Sequence, residues 1–256
     1  MVKKASKTRK KIFRSTVNAA EVQQFDSLAA EWWDENGPLK PLHEMNPARL
    51  GYLRGQICAH FTRSDAGYAP LKGLRILDVG CGGGVVAEPL ARLGAEVTGI
   101  DAAAKNIKTA EVHAKQNCLA IHYETTTAED FAAKKKTFDV VTALEIVEHV
   151  DDLPLFLSAC GRLVKKNGLI ILSTLNRTPK SYLLGVLAAE HVLRWLPVGT
   201  HDWKKFVKPS ELARPLERDG FTVTDISGLV YNPLTRVFSV SAADVDVNYF
   251  LAAKKA

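Results

Sequence analysis

Residues 77–84 read LDVGCGGG, so that four of the five positions from Gly80 to Gly84 are glycine. The run follows an apolar stretch, LRILDV (74–79), that carries a single carboxylate, Asp78. Glycine loses more conformational freedom on folding than any other residue, so such a cluster demands a reason. A glycine-rich turn between a strand and the next helix lets the main chain come close to a ligand. The dinucleotide fingerprint G-x-G-x-x-G is not met, because Val85 stands in the third glycine position. The pattern is instead Asp78-x-Gly80-x-Gly82-x-Gly84. A second acid, Asp101, closes the next apolar run, AEVTGID (95–101). A carboxylate at that place accepts hydrogen bonds from ribose hydroxyls. The spacing predicts an adenosyl ligand whose ribose is unphosphorylated and which has no diphosphate. A plain tight turn beside a solvent-facing Asp101 is the simpler account, but it leaves the glycines and the two acids unexplained together.

Outward from this run, short β-rich segments alternate with helical ones. AIHYE (120–124), FDVVTAL (138–144) and GLIILST (168–174) read as strands, several of them apolar on both faces. VVAEPLARLG and LPLFLSACGRLVKKNG read as intervening helices, the second ending at VKKN before Gly168. Alternation of this kind calls for a parallel sheet covered by helices on each side. FTVTDISG and VDVNYFLAAKK, near the C-terminus, have no helix between them and suggest an antiparallel hairpin on the sheet edge. Residues 18–66 look helical, with Asn46 as an N-cap and Pro47 at the first position of a second helix.

The chain has 256 residues and a pI near 9.1. The basic character is local: Lys3, Lys4, Lys7, Arg9, Lys10, Lys11 and Arg14 lie in the first 14 residues, leaving 27 basic against 28 acidic side chains. A basic domain face for nucleic acid is therefore not implied. The tail is expected to be a solvated leader; attraction to an anionic membrane and an Arg/Lys-rich transit peptide are its sharper readings. No run of about 18 uncharged apolar residues occurs. The four cysteines have no CxxC spacing, which suits a reducing cytosol rather than a disulfide framework or zinc site.

A D-x-G-x-G-x-G turn after a strand, with an acid closing the next strand, resembles the class I S-adenosylmethionine-dependent methyltransferases. That resemblance implies a Rossmann-like α/β fold, with a seven-stranded, mostly parallel sheet and a reversed last strand. It implies that Gly80 and Gly82 pass under the methionine part of the cofactor, with Asp78 in the same turn, and that Asp101 binds ribose. Leu144 would sit beside the cofactor. Ala128 and Glu129, in TTAED (126–130), would flank adenine, although ordinary helix N-capping explains that stretch equally well. Further blocks narrow the match: WWDENGPLKPLHEMNPARLGY, EIVEHV, LSTLNRTPKS, GTHDWKKFVKP, YNPLTRVF and DVDVNYFLAAKK resemble the ubiquinone-biosynthesis O-methyltransferases. These methylate two hydroxyls on polyprenylated catechol rings, those of 2-polyprenyl-6-hydroxyphenol and 3-demethylubiquinol. The resemblance places Arg49 on the cofactor, where a guanidinium can clamp the methionine carboxylate. The implied organisation is a basic tail (1–17), a helical cap (18–66) and a methyltransferase domain (67–256) with an insertion at 176–208.

A phenol has a pKa near 10 and must lose its proton to attack a methyl group, so a base or a metal is needed. The candidates are Glu145, Glu148 and His149, just past the fourth predicted strand, at i, i+3 and i+4 of a presumed helical turn. Either His149 is the general base with a carboxylate orienting its ring, or the three side chains hold a divalent cation such as Mg²⁺ near the phenolate. A helix start that is merely capped by polar groups is the bland alternative. His43 and His201 fall in the matching blocks, and each is either a pocket residue or a local hydrogen-bonding group. Segment 181–197, SYLLGVLAAEHVLRWLP, is too short and charged to span a bilayer. It is either an interfacial helix reaching a lipid-tailed substrate or an ordinary core helix. The expected setting is cytoplasmic, peripheral to the inner membrane, or the mitochondrial matrix in a eukaryote, with other ubiquinone-biosynthesis proteins as potential partners. The D/N-P-P-Y/F block of base-amine methyltransferases is missing after the fourth predicted strand. The rival readings are therefore a methyltransferase for another small acceptor and a non-catalytic, lipid-bound subunit.

Overall fold

The computed structural model describes residues 15–183 and 203–256. Helix α1 (Ala19–Ser27) and helix α2 (Lys40–His60) precede the sheet. Strands β1 (Arg75–Val79), β2 (Glu96–Asp101), β3 (His122–Thr125), β4 (Phe138–Leu144) and β5 (Val164–Leu175) alternate with helices α3 (Ala87–Arg92), α4 (Ala104–Gln116), α5 (Ala128–Ala132) and α6 (Leu153–Leu163). After α7 (Pro179–Ser181) and α8 (Pro209–Arg218) come β6 (Phe221–Asn232), β7 (Val237–Ser241) and β8 (Asn248–Lys255). The strand order is β3-β2-β1-β4-β5-β8-β6-β7. β1 pairs in parallel with both β2 and β4, so strand order reverses beside β1. Ligands of open α/β sheets bind in the crevice at such a reversal, outside the carboxyl ends of the strands.

The central strands are apolar on both faces because both are covered. One face packs Leu77, Val141 and Ile170 against Phe131, Phe156, Leu157, Leu212 and Leu216 of α5, α6 and α8. The other packs Ile76, Val140 and Ile171 against Leu53, Ile57, Leu90 and Ile107 of α2, α3 and α4.

Four local expectations need correction. α2 begins at Lys40 with Pro41 in its first turn, and Pro47 lies inside it, so Asn46 is not a cap. The Asn46 amide instead donates to the Val85 carbonyl, 2.9 Å away. VKKN belongs to the start of β5, where the register with β4 shifts, rather than to the end of α6. The reversed strand β8 does not form the edge: it inserts between β5 and β6, antiparallel to both. The edge is β7, an eighth strand with the pattern VFSVS, paired antiparallel to β6.

Thr16 and Val17, the end of the presumed tail, are tied to the body. Val17 forms a β-bridge with Val150, and the Asp151 N–H donates to the Thr16 carbonyl at 2.9 Å. Most of the 181–197 segment, and His201, lie outside the described residues. Among the described residues, no helix is long and apolar enough to cross a membrane.

Candidate functional site

The carboxyl ends of β1, β2 and β4 open into a cavity of about 1190 Å³. Asp78, Gly80, Gly82, Asp101, Ala128, Glu129, Leu144, Glu145, Glu148, His149 and Arg49 all line it. Every residue singled out for the cofactor or for catalysis is thus on one wall or another of a single space. The volume exceeds the range of about 300–1000 Å³ usual for one small ligand, which leaves room for a cofactor and an acceptor together.

The glycine corner is shaped by protein as well as by ligand space. At Gly80 and Cys81 the main-chain N–H groups donate to the Ile100 carbonyl, turning the loop over the end of β2. Asp101 pins the same corner: its Oδ2 accepts from the Gly82 N–H at 3.0 Å and its Oδ1 from the Ala103 N–H at 2.7 Å. A Cβ on Gly82 would lie 2.2 Å from Cη2 of Trp32, and one on Gly83 would lie 2.4 Å from the Trp32 Cβ. The indole Nε1 of Trp32 donates to Asn106 Oδ1, and that of Trp33 donates to the Gly83 carbonyl. The paired tryptophans therefore roof the loop, and part of the demand for glycine is the space they fill. His43 is turned to the Trp32 carbonyl, 2.8 Å away, as a local hydrogen-bonding group.

Around this corner several buried polar atoms lack partners. Among them are Arg49 Nε, Asp78 Oδ2 and Glu129 Oε2, while Arg49 Nη2 is ion-paired with Glu145. A buried polar group without a hydrogen bond is costly, so each marks a place where a ligand group belongs. The free guanidinium Nε–H suits a carboxylate, the free Asp78 oxygen suits an ammonium, and the free Glu129 oxygen suits an amine N–H. An amino-acid end and an adenine amine supply these groups, and the side chains present fit S-adenosylmethionine in that sense. Burial pushes the Asp78 carboxyl up to about 7, against the Thr142 hydroxyl that donates to its other oxygen at 2.8 Å. Burial also raises Asp101, opposed by its two backbone hydrogen bonds. Desolvation lowers Arg49, and the nearby Glu145 carboxylate, 3.3 Å from Nη2, counteracts it.

Glu145, Glu148 and His149 do not share one helical turn. Glu145 is left-handed, with φ 52°, and the 3₁₀ turn covers only Val147–His149. Each side chain has its own partner. Ser173 Oγ and Asn248 Nδ2 donate to the two oxygens of Glu145, at 2.6 and 2.9 Å. Thr174 Oγ1 donates to Glu148 Oε2 at 2.8 Å. His149 Nδ1 lies 3.1 Å from Glu21 Oε2, and Lys205 Nζ is 2.7 Å from the other Glu21 oxygen. Among the described residues no three His, Cys, Asp or Glu side chains are grouped to hold a metal, so this donor set does not fit Mg²⁺ as arranged. Burial pushes Glu148 up to about 7. His149 is raised by the Glu21 carboxylate and by Glu148, against its own desolvation. Glu21 falls to about 2, chiefly through its hydrogen bond to His149, with burial opposing.

Glu21, Trp32, Lys205 and Asn248 are site residues that sequence reasoning missed. Their only sequence signal was membership of a matching block, and Glu21 lacked even that.

Residues 50–226 match the family model described as a methyltransferase domain. The chain is 52% identical to the ubiquinone biosynthesis O-methyltransferase of Roseobacter denitrificans, over 94% of this chain and 98% of the relative. It is 48% identical to the enzyme of the same name from Rhizobium etli, over 94% and 97%. Among solved structures, the magnesium protoporphyrin IX methyltransferase of Synechocystis with bound S-adenosylhomocysteine matches with a TM-score of 0.65, at 18% identity over 93% of this chain and 98% of that one. A methyltransferase of Thermotoga maritima, described as a possible histamine N-methyltransferase, matches at 0.64, with 16% identity over 91% and 99%. The structural likenesses show the class I methyltransferase fold, and by its sequence the chain belongs to the ubiquinone biosynthesis O-methyltransferase family.

Proposed function

We propose that this chain is an S-adenosylmethionine-dependent O-methyltransferase of ubiquinone biosynthesis. Its acceptors are phenolic hydroxyls of polyprenylated catechols, of the 2-polyprenyl-6-hydroxyphenol and 3-demethylubiquinol type. The cofactor half of this reading is carried by the unpartnered buried atoms on Arg49, Asp78 and Glu129 around one cavity, and the acceptor half by the 52% identity to a ubiquinone biosynthesis O-methyltransferase.

The bound cofactor supplies an electrophilic methyl group on a sulfonium, whose transfer to oxygen is an in-line displacement. The chain's own work is placement and proton removal. Arg49 holds the cofactor's carboxylate through its free Nε–H, and Glu145 keeps the guanidinium aimed by its ion pair with Nη2. Asp78 takes the ammonium. Asp101 holds the glycine corner in shape while presenting its remaining lone pairs to ribose. Leu144 and Ala128 supply apolar walls. His149 accepts the phenolic proton. Loss of that proton gives the phenolic oxygen the electron pair with which it would take the methyl group. The C–S bonding pair would stay on sulfur, so the two opposite charges would cancel into a neutral ether and a neutral thioether while the proton remains on His149.

The polyprenyl tail requires access from a bilayer, and the exposed Tyr182 and Leu183, where the described part of the 181–197 segment begins, supply apolar surface for it. We place the protein peripherally on that membrane on this ground.

The test is an assay of the purified full chain on a short-chain polyprenyl catechol, with and without EDTA. Methylation that persists under chelation is expected, because the acidic side chains and His149 are engaged elsewhere. Loss of activity on chelation, restored by Mg²⁺, would mean that Glu145, Glu148 and His149 regroup as ligands. No methylation of any catechol would overturn the acceptor assignment.

A further inference from the structure

We propose that Glu21 on α1 is the positioning residue for His149, holding the imidazole with its proton on Nδ1 so that Nε2 is left to accept the proton of the phenol. The inference rests on the functional reading above, in which His149 is the base, and adds the group that orients it.

A carboxylate oxygen only accepts hydrogen bonds, so the nitrogen 3.1 Å from Glu21 Oε2 carries the N–H. In the neutral ring the opposite nitrogen then keeps its lone pair, which is the condition for a general base. The ring is held in two further ways. Phe25, one turn along α1 from Glu21, meets it edge to face, with ring centroids 5.2 Å apart and planes at 89°. The second oxygen of Glu21 is held by Lys205 at 2.7 Å, which stops the carboxylate from rotating away.

The helix that carries Glu21 is anchored on both sides of His149. Asn18 caps α1 by accepting from the Ala20 and Glu21 N–H groups. The same Asn18 donates through Nδ2 to Asp151 Oδ1 at 3.0 Å. Val17 bridges Val150, the residue after His149. The neighbouring Glu148 accepts from Thr174 through Oε2 and acts on the ring only through its charge, whereas Glu21 is within hydrogen-bond distance of it. Glu21 also lies N-terminal to residues 50–226, the part that matches the methyltransferase-domain model. The base is thus completed by a helix that precedes residues 50–226 in the chain.

The rival account makes Glu21 a latch that merely ties α1 down. A latch acts on cofactor affinity and acceptor KM, whereas a positioning residue acts on kcat. The experiment uses the full-length chain and the variants Glu21→Gln and His149→Gln. It measures kcat and KM on a short-chain polyprenyl catechol, S-adenosylhomocysteine affinity by calorimetry, and the His149 Nδ1–H resonance in ¹⁵N-histidine-labelled protein, assigned by its loss in H149Q. For E21Q a fall in kcat of about 10²–10⁴-fold is expected, the range that a positioned general base contributes. KM and S-adenosylhomocysteine affinity should stay within about twofold, and the resonance should disappear or shift. An E21Q enzyme with wild-type kcat beside an inactive H149Q enzyme overturns the proposal alone. An E21Q enzyme whose cofactor affinity or KM collapses while kcat holds shows a latch and overturns it too. A fully active H149Q enzyme removes the base itself, and with it both readings.

Discussion

Gly82 shows what a single hydrogen in place of a methyl group is worth here. Its φ is +51°, a region that costs an L residue roughly 1–2 kcal/mol. An added Cβ would also overlap the Trp32 indole at 2.2 Å, and overpacking of that kind costs about 1–3 kcal/mol. Gly82→Ala is therefore expected to lower the unfolding free energy by about 2–5 kcal/mol and to weaken S-adenosylhomocysteine binding, as read by urea titration and calorimetry. A change below about 0.5 kcal/mol, the range of an ordinary surface substitution, would show that Trp32 does not roof the loop in solution. That the turn needs glycine was legible in LDVGCGGG. That an indole from fifty residues earlier fills part of the space was not, since nothing in local periodicity encodes which distant side chain meets a bare main chain. Arg49 teaches the same lesson: its charge was legible, but its tether, Glu145, was read as a catalytic or metal-binding group.

At the level of elements, the strands were legible because their periodicity and β-branched content are local properties. The errors fall where tertiary contacts override a local rule. Asn46-Pro47 carries the signature of a helix start, yet Lys40–His60 continues through it, with Asn46 donating to Val85 across the helix–loop contact. β7 escaped notice because a five-residue edge strand, half exposed, lacks the apolar run of a covered one. α1 was visible as a helix but not as a strap. It contains no buried residue and is attached by polar contacts at Thr16, Asn18, Glu21 and Asp26 and by the half-buried Phe25 ring. Segments with few buried apolar contacts open well below the global free energy. In hydrogen exchange of the ligand-free protein, the amides of residues 23–27 should therefore exchange orders of magnitude faster than those of Val140–Leu144 at the sheet centre. S-adenosylhomocysteine should slow α1 more than it slows β4, because the strap borders the cavity. Equal protection of α1 and β4 without ligand would make the strap part of the cooperative core.

For the whole molecule, the sheet carries a dry core on each face and gathers buried and half-buried charge at one end, where Arg49, Asp78, Asp101, Glu145 and Glu148 line one cavity. This arrangement makes stability depend on pH in a direction opposite to that of most proteins. The Asp78 and Glu148 carboxyls are raised by burial to about 7, from ordinary values of 3.8 and 4.5. Between about pH 4 and 7 the native state keeps protons that the unfolded chain has released, so stability falls as pH rises through that window. His149 acts in the same sense: its pKa is raised above 6.5, so its contribution is present at low pH and lost as pH climbs through the folded value. Glu21 opposes them only on the acid side, since its depressed pKa gives stability above 4.5 that is lost as pH falls toward 2. The ligand-free protein should accordingly melt at a lower temperature at pH 8 than at pH 5. A cofactor ammonium beside Asp78 favours the ionised carboxylate. Saturating S-adenosylhomocysteine should then flatten the decline, and Asp78→Asn should both reduce the slope of the ligand-free protein and abolish that flattening. A ligand-free melting temperature that rises steadily from pH 5 to 8 would mean that water reaches these acids, and that the cavity end of the sheet is more open than its packing indicates.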